Sequence, residues 1–381
     1  MMIALVNGRI LSDHGIADGQ AVLLGEGHIR AVVPMNALPA EVARYDLRGG
    51  ILLPGFIDVQ VNGGGGILFN DAPTVDAIKT IGAAHAKFGT AGFLPTIISA
   101  DLTAIRAAIT AVDTAIEASV PGVLGIHIEG PFLNSARKGI HDASKFRALD
   151  TEAFELLTSL KRGKTLLTLA PETTTPQTIR ALANAGVIVS AGHTDSNFDV
   201  VQSALRSGVR GFTHLFNAMS PLTSRAPGVV GAALDDRESW CGIIVDGHHV
   251  HPAVLRIALR CKGDERLMLI TDAMPSVGSP AKSFALQGRT ITVKGGVCVA
   301  PDGTLAGSDL DMAAAVRNTI SLLGVDLATA ARMASFNPAA FLGLEQKLGR
   351  IAPGYRADLV LLTEKLDAVQ TWVGGRPLLA S

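Results

Sequence analysis

Eight short apolar runs, each closing on a polar side chain, constrain this chain more than any other feature it has. They fall at 55–62, 92–99, 123–129, 166–172, 187–193, 211–217, 240–246 and 267–272. Ala-rich helical stretches at 75–88, 102–118 and 252–261 separate several of them. Strands that are apolar on both faces suit a parallel sheet, because helices cover both sides of it. A steady strand–helix beat builds βαβ units. Eight such units predict an α/β fold of the (β/α)8 TIM-like barrel type. An open doubly wound sheet is the alternative, but no Gly-x-Gly-x-x-Gly turn follows the first strand.

The two ends read differently. Residues 4–10, 21–24 and 29–33 form short strand-like runs joined by Asn-Gly and Gly-Glu-Gly turns, and the tail repeats the style at 358–362 and 370–373. Neither end has enough strands for a stable sheet of its own. Pairing the two ends with each other resolves this, and it predicts a small β-sandwich domain from 1–53 and 347–381 around a barrel at 54–346. At 381 residues the chain is long enough for both units. After the eighth run, 284–300 reads as an inserted hairpin.

The polar residues that end the runs are Gln60 and Asn62, Thr96, His127 and Glu129, Glu172, His193, His214, Asp246 and Asp272. In a barrel the C-terminal strand ends converge on one face, where the loops build the active site. Glu129, His193 and His214 then make a two-nitrogen, one-oxygen set, a catalytic zinc composition that leaves a position open for water. Asp272, on the last strand, is placed to take that water's proton as general base. A lone buried histidine is most often a hydrogen-bonded core residue; the trio of Glu129, His193 and His214 with an aspartate on strand eight, all at strand ends, favours a metal centre. His127 lies two residues before Glu129 and faces the same way, so it is read as a residue behind the metal that holds a ligand in place. The run Gly63-Gly64-Gly65-Gly66 lacks the Lys-Ser/Thr of a P-loop and reads as a flexible loop over the first strand end. Gly307-Ser308-Asp309 lacks a nucleophile elbow and reads as a turn.

Composition removes whole classes of function. The net charge is −1 and aromatic residues are 4% of the chain, with no long basic run, which argues against a nucleic-acid partner. No apolar run approaches the ~18 residues of a membrane helix. The start at Met1 has no basic segment leading into a secretory core. Cys241, Cys261 and Cys298 form no Cys-x-x-Cys pair and read as small buried side chains in a reducing compartment. A cytoplasmic location is expected.

Several segments carry a resemblance. Pro54-Gly55-Phe56-Ile57-Asp58-Val59-Gln60-Val61-Asn62-Gly63, Gly125-Ile126-His127-Ile128-Glu129-Gly130-Pro131-Phe132, Ala191-Gly192-His193-Thr194, Thr213-His214-Leu215-Phe216-Asn217-Ala218-Met219, Val245-Asp246-Gly247-His248-His249-Val250 and Thr271-Asp272-Ala273 follow one another along the chain. Together they resemble the N-acetylglucosamine-6-phosphate deacetylases of the amidohydrolase superfamily. The resemblance implies one divalent transition metal, Zn²⁺ ahead of Fe²⁺, Co²⁺ or Mn²⁺, on Glu129, His193 and His214, with Asp272 as proton shuttle. It implies that His249 and the Asn217–Ala218 backbone bind a phosphorylated N-acetylated amino sugar, and that His141 lies near its acetamide carbonyl. It also implies a homodimer in which Arg225 reaches the partner's site. One departure from the wider superfamily matters: where two-metal members carry His-x-His, this chain has Gln60-x-Asn62. Amides are poor transition-metal ligands, so a single tight metal is expected.

The galactosamine epimer, a cyclic amidase and a D-aminoacylase remain alternatives for the substrate. A non-catalytic binding protein on this fold would be expected to have lost one of Asp272, Glu129, His193 or His214, and this chain retains all four.

Overall fold

The structure, a computed structural model, describes residues 2–12 and 15–378. The outermost residues of the expected terminal unit, 379–381, and residues 1, 13 and 14 lie outside the described residues. Eight strands form one parallel sheet: Phe56–Val61, Thr90–Ile98, Gly125–Glu129, Lys164–Leu169, Ile188–Ala191, Val209–Phe212, Trp240–Ile243 and Leu267–Leu269. Each pairs in parallel with the next. The ring closes through a parallel bridge between Val61 and Ala273. The (β/α)8 barrel expected from the apolar runs is therefore the fold.

The strands are short and almost wholly buried, and helices such as Val75–Ala86 and Leu102–Glu117 pack outside them on alternating Ala and Ile faces. Capping sets where these helices begin. Thr74 Oγ1 accepts from Ala77 N at 3.2 Å and Asn197 Oδ1 from Val200 N at 3.0 Å, each meeting a backbone N–H that the helix itself leaves unpaired.

The chain ends meet in a shared six-stranded sheet. Its middle joins Arg9–Ser12 to Ile51–Pro54 in parallel, and Ile51–Pro54 to Leu359–Leu362 antiparallel. A four-stranded sheet of Ile3–Val6, Gln20–Gly25, His28–Pro34 and Ala43–Asp46 packs against it. Leu5, Ile10, Val22, Leu52, Leu359 and Trp372 form the common core. The single strand expected at 4–10 is broken in two, because Asn7 takes a left-handed φ of 58° and turns the chain from one sheet into the other.

Two further expectations need correction. The insertion after the eighth strand is a four-stranded antiparallel sheet, Ser283–Leu286, Arg289–Lys294, Val297–Val299 and Leu305–Ser308, instead of a hairpin at 284–300. Gly307-Ser308 accordingly ends a strand. Of the cysteines, Cys241 and Cys298 are buried but Cys261 is exposed, on the outer side of helix Pro252–Lys262. Among the described residues no helix is long and apolar enough to cross a membrane.

Candidate metal centre and active site

Glu129 ends the third barrel strand, while His193 and His214 follow immediately after the fifth and sixth. Both histidines leave their strands in the left-handed region, at φ 47° and 34°, as does Asp272 after the eighth, at φ 54°. Such backbone is uncommon outside glycine and clusters at functional sites. Here it turns each side chain off the strand direction and into the barrel mouth.

The donor atoms converge tightly. Glu129 Oε1 lies 3.2 Å from His193 Nε2 and 3.0 Å from His214 Nε2, and the two Nε2 atoms are 3.1 Å apart. All three side chains are buried. His193 Nδ1 sits 2.8 Å from the Arg137 carbonyl. A carbonyl only accepts, so Nδ1 carries a proton there, and Nε2 is the nitrogen turned towards Glu129 and His214. Burial opposes charge on Glu129, but the hydrogen bonds from His193 and His214 outweigh it and hold the carboxyl well below its usual range. Two imidazole nitrogens and an ionised carboxylate oxygen pointed at one spot form a donor set that fits a divalent transition cation.

Gln60 and Asn62 face the same mouth in a different capacity. Gln60 Nε2 donates to Glu129 Oε2 and to Asp272 Oδ1, both at 3.1 Å, and Asn62 Nδ2 donates to Asp272 Oδ1 at 2.6 Å. The two amides thus share Asp272 Oδ1 as a common acceptor. Burial, then the Glu129 charge, raises the Asp272 carboxyl to about 6, in the range useful for a group that takes and returns a proton.

His127 lies in the layer beneath. Its Nδ1 is 3.2 Å from Thr96 Oγ1 and its Nε2 is 2.8 Å from Thr168 Oγ1, and burial pushes it down to about 4. Both nitrogens are engaged by hydroxyls, and the Glu129–His193–His214 cluster does not include it. His141 packs beside His193, with ring centroids 4.3 Å apart and planes tilted by 56°, and its Nδ1 is 2.8 Å from Ser99 Oγ.

A cavity of about 330 Å³ opens above these residues. Asn62, Glu129, His141, His193, His214 and Asp272 line one end of it, and Asn217, Ala218 and His249 also line it. His249 Nδ1 is 2.6 Å from Asp246 Oδ2, whose other oxygen accepts the His248 and His249 backbone N–H groups. Arg225 does not join them. It is exposed on the loop after the sixth strand and does not line this chain's cavity.

Several contributors escaped sequence reasoning. Arg137 lines the cavity while its carbonyl holds His193. Glu172, noted only as a strand-end residue, accepts from Asn134, Thr194, Asp195 and Ser196 and so fixes the loop that carries His193. Thr304, Leu305 and Gly307 of the inserted sheet form one wall. The four-glycine run is pinned, since Gly63, Gly65 and Gly66 donate to Ala273, Val277 and Pro275. A Cβ at Gly63 would meet Ile67 O at 2.4 Å, so glycine there serves close packing instead of the expected flexibility.

Known proteins match this arrangement along the whole chain. Residues 51–378 match the amidohydrolase family and residues 2–52 the NagA composite domain. An N-acetylgalactosamine-6-phosphate deacetylase of Shewanella sp. (strain ANA-3) is 43% identical over 99% of this chain and 96% of its own length. An N-acetylglucosamine-6-phosphate deacetylase of Haemophilus influenzae is 35% identical over 99% of both chains. Among solved structures, N-acetylglucosamine-6-phosphate deacetylase from Pasteurella multocida superposes with a TM-score of 0.96 at 35% identity, covering 99% of both chains. Fold, strand-end donor set and full-length similarity agree, and the chain belongs to the amidohydrolase family, among its N-acetylhexosamine-6-phosphate deacetylases.

Proposed function

We propose that this enzyme hydrolyses N-acetyl-D-glucosamine 6-phosphate to D-glucosamine 6-phosphate and acetate, with Glu129, His193 and His214 holding one divalent cation. The observation that carries the reading is the convergence of that donor set and Asp272 at one end of a cavity with room for a sugar phosphate. A solved N-acetyl-D-glucosamine-6-phosphate deacetylase from Mycobacterium smegmatis, in complex with N-acetyl-D-glucosamine-6-phosphate, has a TM-score of 0.89 and 30% identity to this chain, covering 100% of it and 99% of its own length. We assign Zn²⁺ as the cation, the cytoplasm as the location, and 1–53 with 347–381 as a unit distinct from the barrel.

When bound, the cation supplies Lewis acidity and brings the pKa of water within its reach towards neutrality. The remaining steps fall to side chains. Gln60 and Asn62 hold the Asp272 carboxylate in place through its Oδ1. Asp272 removes a proton from water as the water oxygen attacks the acetamide carbonyl carbon. With the Ser99 hydroxyl as hydrogen-bond donor to His141 Nδ1 at 2.8 Å, the neutral ring carries its own proton on Nε2, which can stabilise the developing oxyanion. Asp272 then returns its proton to the sugar nitrogen, the C–N bond breaks, and acetate and the free amine leave. His249 and the Asn217–Ala218 segment bind the phosphate. Arg225 reaches it from the partner subunit of a homodimer, consistent with its exposed loop and the exposed Leu222 beside it.

The galacto epimer is a second reading, favoured by the 43% identity to the Shewanella enzyme. Acetate release measured on both 6-phosphate epimers, and on dephosphorylated N-acetylglucosamine, tests both. We expect turnover of the gluco 6-phosphate and a large loss without the phosphate. Equal rates with and without phosphate would overturn the assignment.

A further inference from the structure

Asp272 occupies backbone that only a surrounding framework can hold, and the mechanism above uses none of that framework. On one side stands Asp58, a fully buried carboxyl on the first barrel strand. Its Oδ2 accepts from Thr271 Oγ1 at 2.5 Å, and its Oδ1 accepts from Thr271 N at 3.3 Å and Gln60 N at 3.1 Å. Thr271 Oγ1 in turn accepts from Ala273 N at 3.2 Å, bridging across the left-handed residue. On the other side stands Ser308, the last residue of the inserted sheet. Its Oγ donates to Thr271 O at 2.5 Å, its N–H donates to Asp272 O at 2.9 Å, and its carbonyl accepts from Met274 N at 2.9 Å. Gly307 allows this approach, because a Cβ there would meet Asp272 O at 2.7 Å.

We propose that Asp58 and Thr271 are positioning residues for Asp272, and that Ser308 braces the same turn from the inserted sheet. Together they hold the backbone at 271–274 in the one conformation that sets the Asp272 carboxyl against the Gln60 and Asn62 amides. Asp58 touches neither the cavity nor the donor set. Its buried oxygens are spent on the strand end and on Gln60 N, so strand one aims the base as well as supplying the amides that hold it. The brace also ties the base to the wall formed by Thr304 and Leu305, because both ends of strand Leu305–Ser308 are engaged, one at the cavity and one at Asp272.

The inference rests on Asp272 being the proton shuttle, and the test separates the two. Thr271→Val removes the hydroxyl while keeping the shape; Thr271→Ser restores it. In the metal-loaded enzyme, a misplacement of about 1 Å can cost about 100-fold, so Thr271→Val should lower kcat roughly 10–100-fold. KM should move by less than about threefold, and Thr271→Ser should recover most of the rate, as expected for loss of a transition-state interaction. Asp272→Asn should lower kcat by about 10²–10⁴-fold. Adding Thr271→Val to Asp272→Asn should cost little more, since residues acting as one unit are not additive. Full additivity of the two losses, or a Thr271→Val kcat within about twofold of wild type beside an inert Asp272→Asn, would overturn the positioning role and leave the base assignment standing. An Asp272→Asn enzyme within about tenfold of wild type would overturn the base assignment itself. Should Thr271→Val fail to fold, Asp58→Asn, which keeps the size but loses an acceptor, is measured in its place against the same expectations.

Discussion

The two ends of the barrel differ in a way that hollow space alone would misjudge. At the N-terminal strand ends two contiguous clefts of about 670 and 640 Å³ share Trp240, Arg266 and Ala340, and each is about twice the 330 Å³ of the cavity at the C-terminal end. There the charged groups form separate, scattered pairs: Arg266 lies over the Trp240 ring at 4.8 Å and reaches Glu238, and Arg332 pairs with Asp264 beside the cleft. At the other end the donor atoms of Glu129, His193 and His214 converge on one point. Reactivity sits where charges are aimed at a common spot, and stability where they are paired off.

That contrast can be broken at either end. The largest effect belongs to the cation. Stripping the enzyme with a chelator should abolish acetate release, and one equivalent of Zn²⁺ per chain should restore it, because one Glu–His–His cluster is present among the described residues and Asn62 and Gln60 turn N–H groups, which cannot ligate a cation, towards Asp272. A requirement for two tightly held ions, read by elemental analysis after dialysis, would refute the single-metal centre.

An intermediate effect is expected at Arg225. Removing one charge-assisted contact costs about 1.5–3 kcal/mol, so Arg225→Ala should raise KM for the phosphorylated sugar roughly tenfold or more and leave the rate on the dephosphorylated sugar unchanged. If the arginine serves the partner, mixing Arg225→Ala with Asp272→Asn chains makes half the dimers mixed. Each then has one complete site, returning about a quarter of wild-type activity at substrate concentrations well below KM, where both homodimers are poor. No recovery after confirmed subunit exchange would place the arginine in its own chain's site or in none.

The smallest effect should come from the opposite face. Arg266→Ala removes the contact with Trp240, worth about 0.5–1 kcal/mol at an exposed site. A drop of about 1 °C in Tm with kcat and KM unchanged is the expected result; a fall in kcat would mean that the two ends are coupled and the contrast is too simple.

What the sequence made legible follows the same division. Strand-end polarity identified Glu129, His193, His214 and Asp272, because alternation along a strand and convergence in a barrel are consequences of backbone geometry alone. It could not show that Asp58 serves Thr271, since that pairing joins strands one and eight across a ring closure no local pattern reports. Glu172 was visible as a polar strand end, but its four donors come from two separate loops, and the contacts exist only after folding. The inserted sheet was underestimated because its last strand, Leu305–Ser308, is short and Gly-containing, with little of the alternation that betrays longer strands. The role that the resemblance implies for Arg225 is a proposal about an assembled pair of chains, because the residue is exposed and outside this chain's own cavity.

The sheet shared by the chain ends has a bearing on biosynthesis. Leu52 finds its antiparallel partner only at Leu361, so the strand Ile51–Pro54 leaves the ribosome long before its neighbour is made. At ~5–20 residues per second that interval is roughly 15–60 s. Through it the nascent amino-terminal strands present an open edge, the kind of surface that recruits stray strands from other chains. The barrel can assemble meanwhile, but the protein is sealed only when its last strands arrive, and its yield in a cell depends on how well that edge is shielded until then.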